Sequence, residues 1–397
     1  MTTIIEKSNI NGKINAIPSK SYAHRIAICS FLAGNENLVD CGEFSSKDIL
    51  ATVGCLKALR ENRSILDCVE SGSTLRFMLP LTSAIGGNFT FIGQGRLMER
   101  PNEELFTVLR EHGIKIDKTD KIEISGKLTS GEYKIRGDIS SQYISGLLMA
   151  LPILEGDSKI TLTSPLLSAP YVDITIEVLQ SFGINIVKTK DGFLIKGNQK
   201  FKGEVLPEGD WSNMAFFLCA GAIGGEVTVS GLNPLSKQGD KFILEILKKF
   251  GALISVNGDE VFVKKDKLLP FTYSATNCPD LVPITAVLAS FADGKSVITD
   301  VERLKIKESD RIESTISMLN AFNVEATSDG HSLIIYGKNA KNGKVNSFND
   351  HRIAMASAIA GLFLDGKTKI FDAEAVNKSY PSFFKDLEKL GGKVSAI

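Results

Sequence analysis

Apolar runs with helical spacing alternate along this chain with short β-branched stretches, and the alternation repeats six times. Each copy reads as an apolar run, a glycine with one or two polar residues, and a β-like run: LAGNENLVD, AIGGNFTFIG, LEGDSKITLT, AIGGEVTVSG, FADGKSVITD and FLDGKTKIFD. The junction glycines are Gly34, Gly86, Gly156, Gly224, Gly294 and Gly366. A recurrence every roughly 50 to 70 residues points to one supersecondary unit copied along the chain. A second helix-to-strand pattern follows each junction: LREHGIKID, LQSFGINIV, LKKFGALISV, LNAFNVEA, LEKLGGKVS and a weaker copy, LKALRENRSIL. Leu and Phe at i, i+3 and i+4 predict helices there, and glycine after the last turn predicts the C-cap. Alternating β-branched residues in GEVTVSG and KITLT predict strands. The full unit is helix, turn, strand, loop, helix, turn, strand. Three units fit residues 19–207 and three fit 208–397. An α/β fold of two similar domains is therefore expected, 19–207 and 1–18 plus 208–397. The chain would cross between them at AIPSK and LPEGD, and the N-terminal TTIIEK would complete the second domain's sheet.

Composition narrows the function classes. The 397 residues are 43% hydrophobic and 23% charged, enough for two cores. Lys plus Arg equal Asp plus Glu at 46 each, so nucleic acid is not favoured as a partner. Six scattered cysteines without a CxxC read as reduced core thiols of a cytoplasmic protein. The start MTTIIEKSN has no secretory pattern, and apolar stretches such as AFFLCAGAI are too short to span a bilayer. Four histidines without ligand spacing predict no metal site.

The unusual polar residues stand just before the six leading helices, where free N–H groups and the helix dipole favour anions. Those segments are SKSYAHR, ESGSTLR, SSQYIS, GDWSN, NCPDLVP and NDHRIAM. Lys20, Ser21 and Arg25 suit a phosphate or carboxylate, and equally a solvated, capped helix start. Gly72 would let backbone N–H groups approach a ligand, while Arg96 and Arg100 read as a surface loop or a carboxylate clamp. Ser140, Ser141 and Gln142 offer uncharged donors for phosphate or sugar-like hydroxyls, or simply cap the third helix, with Ser168 adding polar reach. Asp280 is a helix cap or a general base. In KIKESDR, the charges at 307, 308, 310 and 311 either bridge on a helix surface or hold a carboxyl group among cations. Arg352, in NDHR, and Lys378 add cations. Singly, each motif is ambiguous. Together, cations at one edge of repeated units in a neutral chain outline a cleft for small ligands with several negative charges.

SKSYAHR, SGSTLR, ERP, SSQ, APYVDIT, EGDWS, PDLVP, KESDRI, NDHRIAM and KSYP stand in the order found in the enolpyruvyl transferases of the 5-enolpyruvylshikimate-3-phosphate synthase family. The chain resembles that family from about residue 15 to about residue 390, and KESDRI with NDHR is the most specific part. The resemblance implies two domains, each of three βαβαββ units in an inside-out α/β barrel, with the active site in the interdomain cleft. It implies transfer of the enolpyruvyl group of phosphoenolpyruvate to the 5-hydroxyl of shikimate 3-phosphate, through a tetrahedral intermediate, by a monomer without cofactor. Lys20, Ser21, Arg25, Ser140, Ser141, Gln142, Ser168, Asp280 and Lys307 would bind shikimate 3-phosphate. Lys20, Gly72, Arg100, Gln142, Arg311, Arg352 and Lys378 would bind phosphoenolpyruvate. Asp280, Glu308 and Lys20 would be catalytic. Pro18, Glu70, Ser73, Ala169 and Arg303 depart from the commonest family pattern.

The nearest rival is the related UDP-N-acetylglucosamine enolpyruvyl transferase, which usually carries a reactive loop cysteine. No cysteine here lies in such a loop, and SSQ with APYVDIT favours the shikimate substrate. A non-catalytic anion-binding relative is the other alternative, and the presence of both Asp280 and Glu308 argues against it.

Overall fold

A computed structural model describes every residue except Asp40, Glu43, Phe44 and Ile397. The chain forms two compact units, Met1–Ser19 with Glu208–Ile397, and Lys20–Pro207. The boundary thus falls after Ser19. At the two crossings the backbone segments bridge at Pro18 and Gly209, with Ser19 N–H donating to Glu208 O (2.7 Å) and Asp210 N–H to Ile17 O (2.9 Å).

The chain opens with β1 (Thr3–Glu6) and β2 (Asn11–Asn15). The Lys20–Pro207 unit follows as α1 (Lys20–Leu32), α2 (Lys47–Arg60), β3 (Ile65–Asp67), α3 (Gly72–Ile85), β4 (Gly87–Ile92), α4 (Glu103–Glu111), β5 (Lys115–Lys118), β6 (Ile122–Gly126), β7 (Glu132–Ile135), α5 (Ser141–Ala150), β8 (Ser158–Leu162), α6 (Ala169–Ser181), β9 (Ile186–Thr189) and β10 (Gly192–Ile195). The second half contains α7 (Trp211–Gly224), β11 (Glu226–Ser230), α8 (Ile243–Phe250), β12 (Leu253–Asn257), β13 (Glu260–Lys264), β14 (Thr272–Ser274), α9 (Val282–Ser290), β15 (Lys295–Thr299), α10 (Arg311–Ala321), β16 (Glu325–Ser328), β17 (Ser332–Tyr336), β18 (Lys344–Asn346), α11 (His351–Gly361), β19 (Lys367–Phe371), α12 (Phe383–Lys389) and β20 (Lys393–Ala396).

Three sheets share one order, β3-β4-β6-β5, β7-β8-β10-β9 and β14-β15-β17-β16, with the first two strands parallel and the rest antiparallel. The parallel pair is joined through a helix, as a parallel connection requires. The N-terminal strands complete two more sheets. β2 lies parallel to β11 in the order β2-β11-β13-β12, and β1 lies between β19 and β20, with Ile4 opposite Lys369 on one side and Ser395 on the other.

The two helices of each unit differ in burial. α9 and α11 are buried along every residue and α7 along nearly every one, and these three pack against one another. Helices apolar all round belong inside. α8 instead buries only Ile243, Ile246, Leu247 and Phe250, one face of a surface helix. All six second-helix copies end on a residue with positive φ: Asn62, Gly113, Gly183, Gly251, Asn323 and Gly391.

One expectation fails. Among the described residues no strand follows LAGNEN, so Lys20–Pro207 holds two sheets, against three in its counterpart. α1 and α2 lack a sheet because the strands around them pair elsewhere. β2, before α1, joins β11, and β3, after α2, joins β4.

Candidate active site

In the unit Met1–Ser19 with Glu208–Ile397, the predicted residues gather around Arg311. KESDRI does not form one helix. Lys307 to Asp310 make a loop after the 3-10 turn Glu302–Ile306, and α10 begins at Arg311, capped by Asp310, whose Oδ1 accepts from Ile312 N (3.1 Å) and Glu313 N (3.3 Å). The Arg311 guanidinium is 1% exposed and donates from Nη1 to Asp280 (2.7 Å), Nη2 to Glu308 (2.5 Å) and Nε to Asp350 (2.8 Å). Burial opposes its charge, but the three carboxylates outweigh burial and lift its pKa well above the ordinary value.

Asp280 lies in the 3-10 turn Pro279–Leu281 ahead of α9, not as a side-chain cap of that helix. Its carboxylate also meets Arg352 Nη2 (3.2 Å) and Lys307 Nζ (3.5 Å), so three cations face it. Burial lowers the Lys307 pKa, against the pull of Asp280. Asp350 caps α11 by accepting from Arg352 N (2.9 Å) and simultaneously holds Arg311. Phe348 and Asn349, just before it, both have φ near +55° (54° and 55°), a costly conformation for a phenylalanine. Lys378 reaches the same corner and donates to Asn349 O (2.8 Å).

In Lys20–Pro207 the predicted residues fall at the starts of α1, α3, α5 and α6, except Arg100, which follows the 3-10 turn Leu97–Glu99 ahead of α4. Lys20 Nζ pairs with Asp48 (2.8 Å). Arg25 is buried and donates to Thr175 Oγ1 (2.6 Å), Ser21 O (2.6 Å), Tyr171 O (3.0 Å) and Ser145 Oγ (3.3 Å), joining α1 to α5 and α6. Burial lowers its pKa to about 10. Most of its donors are thus engaged by protein. The Arg100 guanidinium lies across Gly72, where an added Cβ would sit 2.5 Å from Nη1. The contact is with the end of a flexible side chain, so a larger residue there would displace the Arg100 guanidinium and not strain the backbone.

Gln142 links the starts of α5 and α3, donating to Ser73 Oγ (2.8 Å) and accepting from Arg76 Nη1 (2.7 Å). Arg76 in turn donates to Asn102 Oδ1 (3.0 Å) and Pro101 O (3.1 Å). Ser140 caps α5 through Gln142 N (3.3 Å), Ser141 is buried beside it, and Ser168 precedes α6 with φ of 55°.

Four residues escaped the sequence reading: Asp48, Arg76, Asp350 and Asp240. Asp350 and Arg76 lie inside quoted motifs, but nothing in linear spacing ties Asp350 to Arg311 or Asp48 to Lys20. Asp240 is buried, and burial followed by the nearby Asp280 charge pushes its carboxyl up to about 7, against Arg352. Among the described residues no cluster of side chains has the makings of a metal site, and no helix is long and apolar enough to cross a membrane.

The sequence profile of the EPSP synthase (3-phosphoshikimate 1-carboxyvinyltransferase) family matches residues 4–387. The 3-phosphoshikimate 1-carboxyvinyltransferase of Clostridium kluyveri is 41% identical over 420 residues, covering 98% of this chain and 97% of that one. The enzyme of the same name from Methanocorpusculum labreanum is 37% identical, covering 98% and 99%. In fold, EPSP synthase of Acinetobacter baumannii superposes with a TM-score of 0.78 over the whole of both chains at 24% identity. The enolpyruvyl transferase NikO of Streptomyces tendae gives the same score at 16% identity, over 99% and 98%. Sequence along nearly the full length and fold agree: the chain belongs to the EPSP synthase family, whose enolpyruvyl transfer from phosphoenolpyruvate to shikimate 3-phosphate it performs.

Proposed function

We propose that Asp280 and Glu308 divide the proton transfers of this reaction. The 5-hydroxyl of shikimate 3-phosphate attacks C2 of phosphoenolpyruvate, its proton passing to the Asp280 carboxylate, while Glu308, protonated at the outset, gives its proton to the C3 methylene. The tetrahedral adduct then returns a proton from C3 to Glu308 as the C2–O bond to phosphate breaks, and the leaving phosphate takes the proton held by Asp280. What carries this reading is Arg311, which holds the two carboxylates on adjacent nitrogens, Nη1 and Nη2. One rigid guanidinium sets both acids at a fixed separation, the geometry that paired acid–base work needs. Lys20, Arg100, Lys307, Arg352 and Lys378 would compensate the phosphate and carboxylate charges. Gln142, Ser140, Ser141, Ser168 and Ser21 would hold oxygens of the phosphorylated ring, and Arg25 would brace that pocket through α5 and α6. The six described cysteines are all free and buried, which fits work in a reducing cytoplasm, and we read the single chain as the working enzyme.

Glu308→Gln tests the division. In deuterated water the parent should wash deuterium into the phosphoenolpyruvate methylene when shikimate 3-phosphate is present. The variant should lose that exchange by about 100-fold or more. Undiminished exchange would remove Glu308 from the role.

A further inference from the structure

Beside the proposed substrate groups of Lys20–Pro207 runs a chain of buried hydrogen bonds. His24 Nδ1 lies 2.7 Å from Thr52 Oγ1, and Thr52 Oγ1 lies 2.6 Å from Thr74 Oγ1. Thr74 donates from Oγ1 to Ser71 Oγ (2.7 Å) and from its backbone N–H to the same oxygen (3.1 Å). All four residues are at most 1% exposed. They belong to three helices: His24 to α1, Thr52 to α2, and Thr74 to α3, which Ser71 caps.

With Thr74 donating to Ser71 or to the Asp48 carbonyl 3.3 Å away, Thr74 accepts from Thr52 and Thr52 accepts from His24, whose Nδ1 then carries the proton. The reverse direction would leave a buried N–H at Nε2, which has no hydrogen-bond partner; this one leaves only a bare acceptor there. A neutral ring suits this place: burial, then the Lys20 and Arg25 charges, hold His24 well below its ordinary pKa.

Apolar packing alone tolerates small slides and rotations of one helix on another, whereas a chain of buried hydroxyl contacts favours one arrangement, because a slide would leave its members unpaired. The network joins the segments that matter most here. α1 starts at Lys20, α2 carries Asp48, the partner of Lys20, and α3 starts at Gly72 against Arg100. We propose that His24, Thr52 and Thr74 are positioning residues, a relay that locks the starts of α1, α2 and α3 together so that Lys20 and Gly72 meet substrate in register. The inference rests on reading those two residues as substrate-binding. Thr52 is the joint, since it alone touches both neighbours.

Thr52→Val keeps shape and removes the hydroxyl, and Thr52→Ser restores it. The valine variant should raise KM for phosphoenolpyruvate and for shikimate 3-phosphate together by about threefold to tenfold, the cost of one buried hydrogen bond. The serine variant should return both to the parental values. A purely structural role would instead reduce the folded fraction, lowering apparent kcat and the thermal midpoint while leaving KM alone. Should Thr52→Val fail to fold, His24→Leu interrupts the relay at its far end and should raise the same two constants. Parental KM values in whichever variant folds would overturn the relay. Lys20→Ala, assayed alongside, separates the two readings. Raised KM there with parental KM in Thr52→Val rejects the relay alone. Parental KM in both rejects the site assignment and the relay's purpose with it.

Discussion

Arg311 shows how much one side chain can organise. Its three nitrogens hold three carboxylates that come from three separate segments, at 280, 308 and 350. Removing one partner from such a buried set strands the others, at a cost of about 3–5 kcal/mol. Asp240 carries a different consequence of burial. Its carboxyl has an ordinary value of 3.8 but is raised to about 7 in the folded chain. From about pH 4 to about pH 7 the folded state therefore binds a proton that the unfolded state has released, so stability falls as pH rises through that window. Above it the contribution is constant. Asp240→Asn cannot ionise, and its thermal midpoint should decline less than the parent's between about pH 5 and about pH 7. Equal declines would show that Asp240 does not titrate there. At this scale the bridging of Glu308 to Arg311 was within reach of the KESDR motif, but the joining of Asp280 and Asp350 to the same guanidinium was not readable. Those two residues stand tens of residues from Arg311, and only packing decides which charges share a corner.

Elements were more legible than contacts. All six leading segments do open helices, with side-chain caps at Ser71, Ser140, Asp210 and Asp350, because a short polar side chain before an apolar run has few better uses. Strand existence was less secure. β11 buries Val227 and Val229 in alternation as its sequence promises, yet the β-like NLVD forms no strand among the described residues. A helix satisfies its own backbone, whereas a strand exists only if a neighbour supplies the ladder. One cap has a direct chemical consequence. Asp310 fixes the first turn of α10, whose first residue is Arg311. Asp310→Ala should cost about 1 kcal/mol of stability. It should also lower kcat by more than that loss of folded enzyme explains, because the turn that aims Arg311 is loosened. Asp310→Ser should recover most of both, as thermal melts paired with steady-state rates would reveal. A variant with full kcat would separate the cap from the site.

On the scale of the molecule, the first nineteen residues fold with the second half of the chain. β1 is an interior strand of its sheet, and Ile5 packs against α11 so closely that a Cβ at Gly361 would sit 3.1 Å from it. Integrity of the distant half should therefore depend on the N-terminus. Ile5→Ala should destabilise that unit by about 2–5 kcal/mol. Trp211, the single tryptophan and fully buried there, reports this unit selectively in urea denaturation followed by fluorescence. An unmoved midpoint would mean that β1 contributes little.

What the sequence by itself determined was the repeating unit, the capped helix starts, and the family. All of these rest on local periodicity, on local backbone satisfaction or on motif order, which the linear chain displays directly. The tertiary structure alone decided which strands complete which sheets, that Arg25 braces helices from within, that Arg100 lies across Gly72, and that Asp350 shares Arg311 with Asp280 and Glu308. Those facts depend on long-range pairing and on burial, where the desolvation of charges makes their partners obligatory.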